Sequence, residues 1–218
     1  MPQPPEIALI FDLDNTLIHS RIDFLGTRRR LIAVLEESGA LPAPPEVLLR
    51  EPIPHLVALG ERSGAALGER MWEIVADAEA AGLQDAELVA HATEVLQALR
   101  ARGYRLALLT NNARVGVEAK LRDLGLAPFF EVVATRSEVP ALKPSPAGVR
   151  YILERLPGVR LSYVIGDAWI DGRAAEEAGA RFIGFGDRQA AALERGVRPW
   201  AWITDLRELL ALELTRDN

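Results

Sequence analysis

The segment Ile7-Ala8-Leu9-Ile10-Phe11-Asp12-Leu13-Asp14-Asn15-Thr16-Leu17 changes character in its middle. Five apolar residues predict a short strand covered on both faces, as in a parallel sheet. Polar residues then take over at once. Asp12 and Asp14 are two positions apart, so an extended or turning backbone can aim both carboxylates, or one carboxylate and a carbonyl, at one small volume, which suits a hard cation held by oxygen. Asn15 tolerates the left-handed backbone of a tight turn, and Thr16 adds a hydroxyl before Leu17 resumes the apolar pattern. Alone, such a segment is equally well a solvated turn, and the rest of the chain decides between the two.

Downstream, strand and helix signals alternate. An amphipathic helix is expected over Glu87 to Arg102, stopped by Gly103, and a strand over Arg105 to Leu109 that ends in Thr110-Asn111-Asn112. A helix over Val115 to Leu124 stops at Gly125, and a third strand covers Phe130 to Ala134. Lys143-Pro144-Ser145-Pro146 introduces the next helix, with Ser145 as its N-cap and Pro146 at its first position. A fourth strand, Leu161 to Ile165, ends in Gly166-Asp167. A helix over Gly172 to Ala178 stops at Gly179, Arg181 to Gly184 forms a fifth strand, Trp200 to Ile203 a sixth, and Leu206 to Leu214 a closing helix. This alternation predicts an α/β fold, a doubly wound parallel sheet of Rossmann-like form with right-handed crossovers.

Between Ile18 and Asp85 no strand-like run occurs. Leu25, Leu31, Ile32 and Leu35 mark a helix ending near Gly39, prolines cluster at Pro42, Pro44 and Pro45, and helical stretches follow at Glu46 to Leu59 and Ala65 to Ala80. The expected organisation is a catalytic core of residues 1–18 and 86–218 with an inserted α-helical cap domain, 19–85. Three prolines in Met1 to Pro5 suggest an unstructured lead.

The 218 residues suffice for an ordinary domain and a smaller one, and 49% hydrophobic with 26% charged residues describes a globular chain. A net charge of −6 gives no footprint for nucleic acid or an anionic membrane. With no cysteine, disulfides and thiol chemistry are excluded. The first residues lack the basic and long apolar regions of a signal peptide, so the cytoplasm is the expected compartment. A small soluble substrate fits best, and the oligomeric state stays open.

In a parallel sheet the carboxyl ends of the strands share one edge, which here gathers Asp12 and Asp14, Thr110 and Asn111, Lys143, and Asp167 and Asp171. Singly, each has a plain reading: Thr110 and Asn111 cap a helix, Lys143 is a surface lysine, and Gly166-Asp167 is a turn. The recurrence of acid pair, hydroxyl, lysine and acid pair at successive strand ends is what those readings leave unexplained. Together with Ala141-Leu142-Lys143-Pro144-Ser145-Pro146 and Gly166-Asp167-Ala168-Trp169-Ile170-Asp171, this order resembles the haloacid dehalogenase-like hydrolase superfamily, in particular its phosphoglycolate phosphatase-like branch, in which a helical cap follows the first motif. The chain departs from that pattern at Ala168, where Ser or Thr is frequent, and at Ser145, where Asp is frequent.

The resemblance implies a Mg²⁺-dependent hydrolase of phosphomonoesters. Asp12 would be the nucleophile that forms an aspartyl-phosphate and Asp14 the general acid and base. Lys143 would hold Asp12 and neutralise the transferring group, with Thr110, Asn111 and Lys143 binding phosphate. Asp12, Asp14 and Asp167 would hold the metal, and Asp171 a metal-bound water. Asp14 argues against dehalogenation, in which the leaving halide needs no proton. The expected cap has no lysine for Schiff-base phosphonate cleavage. Phosphoglycolate is the first substrate expected, with a sugar-phosphate mutase or a non-catalytic binding protein as the alternatives.

Overall fold

The computed structural model describes residues 6–214, so the expected lead over residues 1–5 lies outside the described residues. In chain order the strands are β1 (Ile7–Phe11), β2 (Ile18–His19), β3 (Glu87–Leu88), β4 (Arg105–Leu109), β5 (Val132–Ala134), β6 (Leu161–Gly166), β7 (Arg181–Phe185) and β8 (Ala201–Ile203). The α-helices are α1 (Phe24–Glu37), α2 (Pro45–Leu48), α3 (Ile53–Ser63), α4 (Ala65–Gln84), α5 (Ala92–Ala101), α6 (Arg114–Asp123), α7 (Ala147–Arg155), α8 (Trp169–Ala178) and α9 (Gln189–Glu194). The chain divides into two compact units, residues 1–19 with 87–218, and residues 20–86.

The first unit is built on a six-stranded parallel sheet of order β5-β4-β1-β6-β7-β8. β1 is central, with Ile10 opposite Ala107 on one side and Val164 on the other. Both of its faces are covered, which is why its sequence is an unbroken apolar run. Ala8 and Ile10 point into a cluster with Leu109, Val149, Ile152, Val164 and Phe182, while Leu9 and Phe11 are fully buried on the opposite face. Close approach of helix to sheet depends on missing side chains: a Cβ on Gly148 would lie 2.5 Å from Leu109 Cδ1. Chain order runs outward from β1 through β4 to β5, then returns to β6 on the other side. That reversal opens a crevice beside the tip of β1, where open α/β sheets bind ligands.

The short strands β2 and β3 pair antiparallel, Ile18 with Leu88 and His19 with Glu87. They are the two connections between the sheet and the second unit, α1 to α4, which closes a core of its own around Leu31, Leu35, Leu56, Val57, Met71 and Val75. The helical stretch expected over Glu46 to Leu59 is divided into α2 and α3, and Pro52, which precedes α3, and Pro54, in its first turn, mark where the second helix starts. α4 is longer than expected, running to Gln84.

Three other expectations change. Glu87 to Arg102 is not one helix: Glu87–Leu88 pairs with Ile18–His19, and α5 starts only at Ala92, after His91 at φ 64°. Leu206 to Leu214 forms only a 3₁₀ turn over Leu206–Leu210, begun by the Asp205 carboxylate, which accepts from the Arg207 amide. α7 begins at Ala147 after Pro146, with Ser145 Oγ accepting from the Ala147 amide at 3.3 Å. The glycine stops hold, Gly103, Gly125 and Gly179 all adopting positive φ.

Candidate active site

The β1 ladder continues one residue past the strand, the Asp12 amide donating to Ile165 O at 2.8 Å. The backbone then turns back sharply: Leu17 and Ile18 amides both donate to Leu13 O, and the Asn15 amide donates to Ile18 O at 2.7 Å. Asn15 takes φ 58°, a conformation its side chain tolerates. The turn leaves Asp12 and Asp14 buried at the sheet edge, 7% and 8% exposed.

Lys143 is the hub. It is 3% exposed, and its Nζ donates to Asp12 Oδ1 at 2.5 Å, Asp171 Oδ1 at 2.6 Å and Leu109 O at 3.1 Å. Three acceptors satisfy all three ammonium protons, the condition under which a buried lysine stays charged. Both carboxylates hold its pKa above the ordinary lysine value against the opposing effect of burial. Its backbone is fixed too. Asn111 Oδ1 accepts from the Lys143 amide at 2.9 Å, and Asn111 Nδ2 donates to Lys143 O at 3.0 Å. A side chain expected to bind phosphate thus pins the lysine-bearing loop to the tip of β4.

Asp171, expected beside the metal, is tied to the lysine as well. Its Oδ1 receives Lys143 and its Oδ2 receives the Ala168 amide at 3.1 Å, so it locks the lysine to the start of α8. Gly166 makes room for this, since a Cβ there would lie 2.5 Å from Asp171 Cγ. Thr110, 1% exposed, caps no helix: its Oγ1 accepts from the Asn112 amide at 3.2 Å, and α6 follows Ala113. Asp14 Oδ2 accepts from Asn112 Nδ2 at 2.7 Å. Asn112 was absent from the expected site, although it stands in the same Thr-Asn-Asn run. Thr16 Oγ1 lies 3.5 Å from Asp12 Oδ2.

Asp12, Asp167 and Asp171 each offer a carboxylate oxygen within 4.8 Å of the others, all buried, an arrangement that could hold a metal ion. The Asp14 side chain, expected to join the metal set, is not in this group; its carboxylate is turned to Asn112. Burial pushes the Asp167 carboxyl up to about 7, Asp171 adding to the rise while Arg188 and Lys143 oppose it. Burial also raises Asp12, Lys143 opposing and Asp171, Asp167 and Asp14 adding. Carboxylates held this close resist ionising together, and one lysine does not neutralise them. A divalent cation of oxygen preference fits this donor set. Arg188, another residue the sequence reading passed over, donates from a terminal guanidinium nitrogen to Asp167 Oδ2 at 2.8 Å.

A parallel sheet edge carrying a buried Asp-Lys-Asp cluster defines a class of enzyme, and comparison with known proteins agrees. Residues 8–179 match the model of the haloacid dehalogenase-like hydrolases, and the chain belongs to this family. It is 32% identical over 187 residues to a protein of Cereibacter sphaeroides (strain ATCC 17029 / ATH 2.4.9) named phosphoglycolate phosphatase, covering 82% of this chain and 84% of that one. A protein of the same name from Neisseria meningitidis is 30% identical over 213 residues, covering 90% and 88%. In fold, the chain is similar to a haloacid dehalogenase-like hydrolase of Streptococcus pneumoniae, with a TM-score of 0.63 at 20% identity, covering 94% of this chain and 96% of that one. The protein is therefore an enzyme of the hydrolase class.

Proposed function

We propose that this protein is a Mg²⁺-dependent phosphatase that hydrolyses a small phosphomonoester through an aspartyl-phosphate on Asp12, phosphoglycolate being the first substrate to test. The observation that carries this reading is the placement of Asp12 between the Lys143 ammonium, 2.5 Å away, and the carboxylates of Asp167 and Asp171. The lysine fixes such an oxygen in direction and, with a cation on the acidic group, would offset the burial that disfavours its ionised form. The names of the relatives support the substrate class.

Asp12 Oδ attacks phosphorus, and the bond from phosphorus to the leaving oxygen breaks. Asp14, held through Asn112, gives its proton to that oxygen. It then takes a proton from the water that attacks the aspartyl-phosphate, which releases phosphate and restores Asp12. Lys143 keeps Asp12 aimed and offsets charge on the transferring group, and Thr110 with neighbouring backbone amides donates to its oxygens. Asp12 and Asp167 would hold Mg²⁺, with the Asp14 carbonyl as a further oxygen, and the cation would screen the charge of the phosphoryl group. Asp171 acts through Lys143. The cytoplasm, where small phosphorylated metabolites are made, is the proposed compartment; among the described residues no helix is long and apolar enough to cross a membrane.

The test is phosphate release from phosphoglycolate, sugar phosphates and nucleotides with Mg²⁺ or with EDTA. Wild type should turn over at least one of them only with Mg²⁺, and Asp12→Asn should lose about 10³-fold or more while keeping its circular dichroism. Metal-independent release, or an active Asp12→Asn enzyme, would overturn the reading.

A further inference from the structure

Arg188 reaches the site from a strand that the nucleophile, lysine and acid motifs do not use. β7 lies beside β6, with Gly184 opposite Gly166, so the residues after the two strands emerge side by side. The loop after β7 is anchored. The Gly186 amide donates to Ile203 O at 2.9 Å, and Trp202 Nε1 donates to Gly186 O at 2.8 Å. The Trp202 ring occupies the space where a Gly184 Cβ would stand, 2.0 Å from its Cε3. Arg188 then caps α9, the Ala192 amide donating to its carbonyl at 3.1 Å. From this fixed base its half-exposed guanidinium spans to Asp167 Oδ2.

Asp167 is thus shared. It is the carboxylate of the acidic group that Lys143 does not bond, hence the one most available to a cation, and it already faces a fixed positive charge. We propose that Arg188 is a positioning residue that weakens divalent-cation binding at this edge, by competing for Asp167 and repelling the ion, so that the metal is held loosely enough to exchange. The inference rests on the cation site of the proposed function, which it deepens. Half of the arginine side chain is in solvent, so the effect is moderate and screened by salt.

The experiment is calorimetric titration of the full-length protein with Mg²⁺ alone, without substrate, for wild type, Arg188→Gln and Arg188→Lys, at low and high KCl. Neutral Gln should bind Mg²⁺ roughly three- to tenfold more tightly than wild type, Lys should stay within about twofold, and the gap should narrow as KCl rises. The rise in melting temperature on adding Mg²⁺ should follow the same order. Equal or weaker binding by Arg188→Gln, or a gap indifferent to salt, overturns the inference while leaving the phosphatase reading intact. A wild type that takes up no Mg²⁺ overturns both.

Discussion

The carboxyl edge of the sheet and the inserted helical unit obey opposite rules. At the edge, Asp12, Asp14, Thr110, Asn112, Lys143, Asp167 and Asp171 are all buried. In residues 20–86 the buried polar residues are only Thr27 and Glu79, and the interior is Leu, Ile, Val and Met. The inserted unit keeps most charge in water: Arg29 and Arg30 are exposed, and Arg70 pairs with Glu37 on the surface. Burying ions stabilises a fold poorly, because desolvation consumes most of the attraction. An edge that buries so many is organised for chemistry. The helical unit, which buries few, is held together by ordinary apolar packing.

The contrast is broken most directly at its hub. Lys143→Met keeps length and removes charge, leaving Asp12 and Asp171 facing each other in a dry site. Phosphatase turnover should fall by about 10³-fold or more, and denaturant unfolding should show a loss of about 3 kcal/mol. Adding Asp171→Asn should return part of that stability, because the two substitutions share one interaction. A melt unchanged by Lys143→Met would mean that the edge is far wetter than its burial implies.

Leu56→Ala tests the other half of the comparison. Leu56 is fully buried in the helical unit, and its truncation should cost about 2–4 kcal/mol. Mg²⁺ affinity in calorimetry should be unchanged, since the acidic group lies wholly in the first unit.

A smaller effect comes from pH. The Asp167 pKa, about 7, is above its unfolded value, so the folded protein binds the extra proton between roughly pH 4 and 7. Its favourable contribution is complete below the unfolded pKa and is lost as pH rises through 7. In EDTA, wild type should lose on the order of 1–3 kcal/mol relative to Asp167→Asn between about pH 4.5 and 7.5. Mg²⁺ should reverse the loss for wild type alone. Parallel pH profiles of the two proteins in thermal melts would refute the raised pKa.

Legibility in the sequence tracked the range of the interaction. Strand tips were readable because apolar runs end sharply, and Asp12, Thr110 and Asp167 directly follow those ends, whereas Lys143 stands in the loop between β5 and α7 and was readable from the prolines beside it. Helix stops at Gly103, Gly125 and Gly179 were readable because positive φ is a local demand. The break at Glu87–Leu88 was not, because its pairing partner Ile18–His19 lies on the far side of the insertion. The shortened closing helix was hidden similarly, its apolar spacing matching both a helix and a 3₁₀ turn.

By itself, then, the sequence determined the sheet, the inserted helices and which residue types gather at one edge, since strand period, glycine stops and the direction of a parallel sheet are set by local chemistry. Only the tertiary structure decided the partners. Asn111 holds the Lys143 backbone, Asn112 holds Asp14, Asp171 holds the lysine ammonium, and Arg188 joins Asp167. Hydrogen bonds of 2.6 to 3.0 Å between residues 21 to 98 positions apart depend on how strands are ordered in the sheet. Strand order is settled by packing over the whole core.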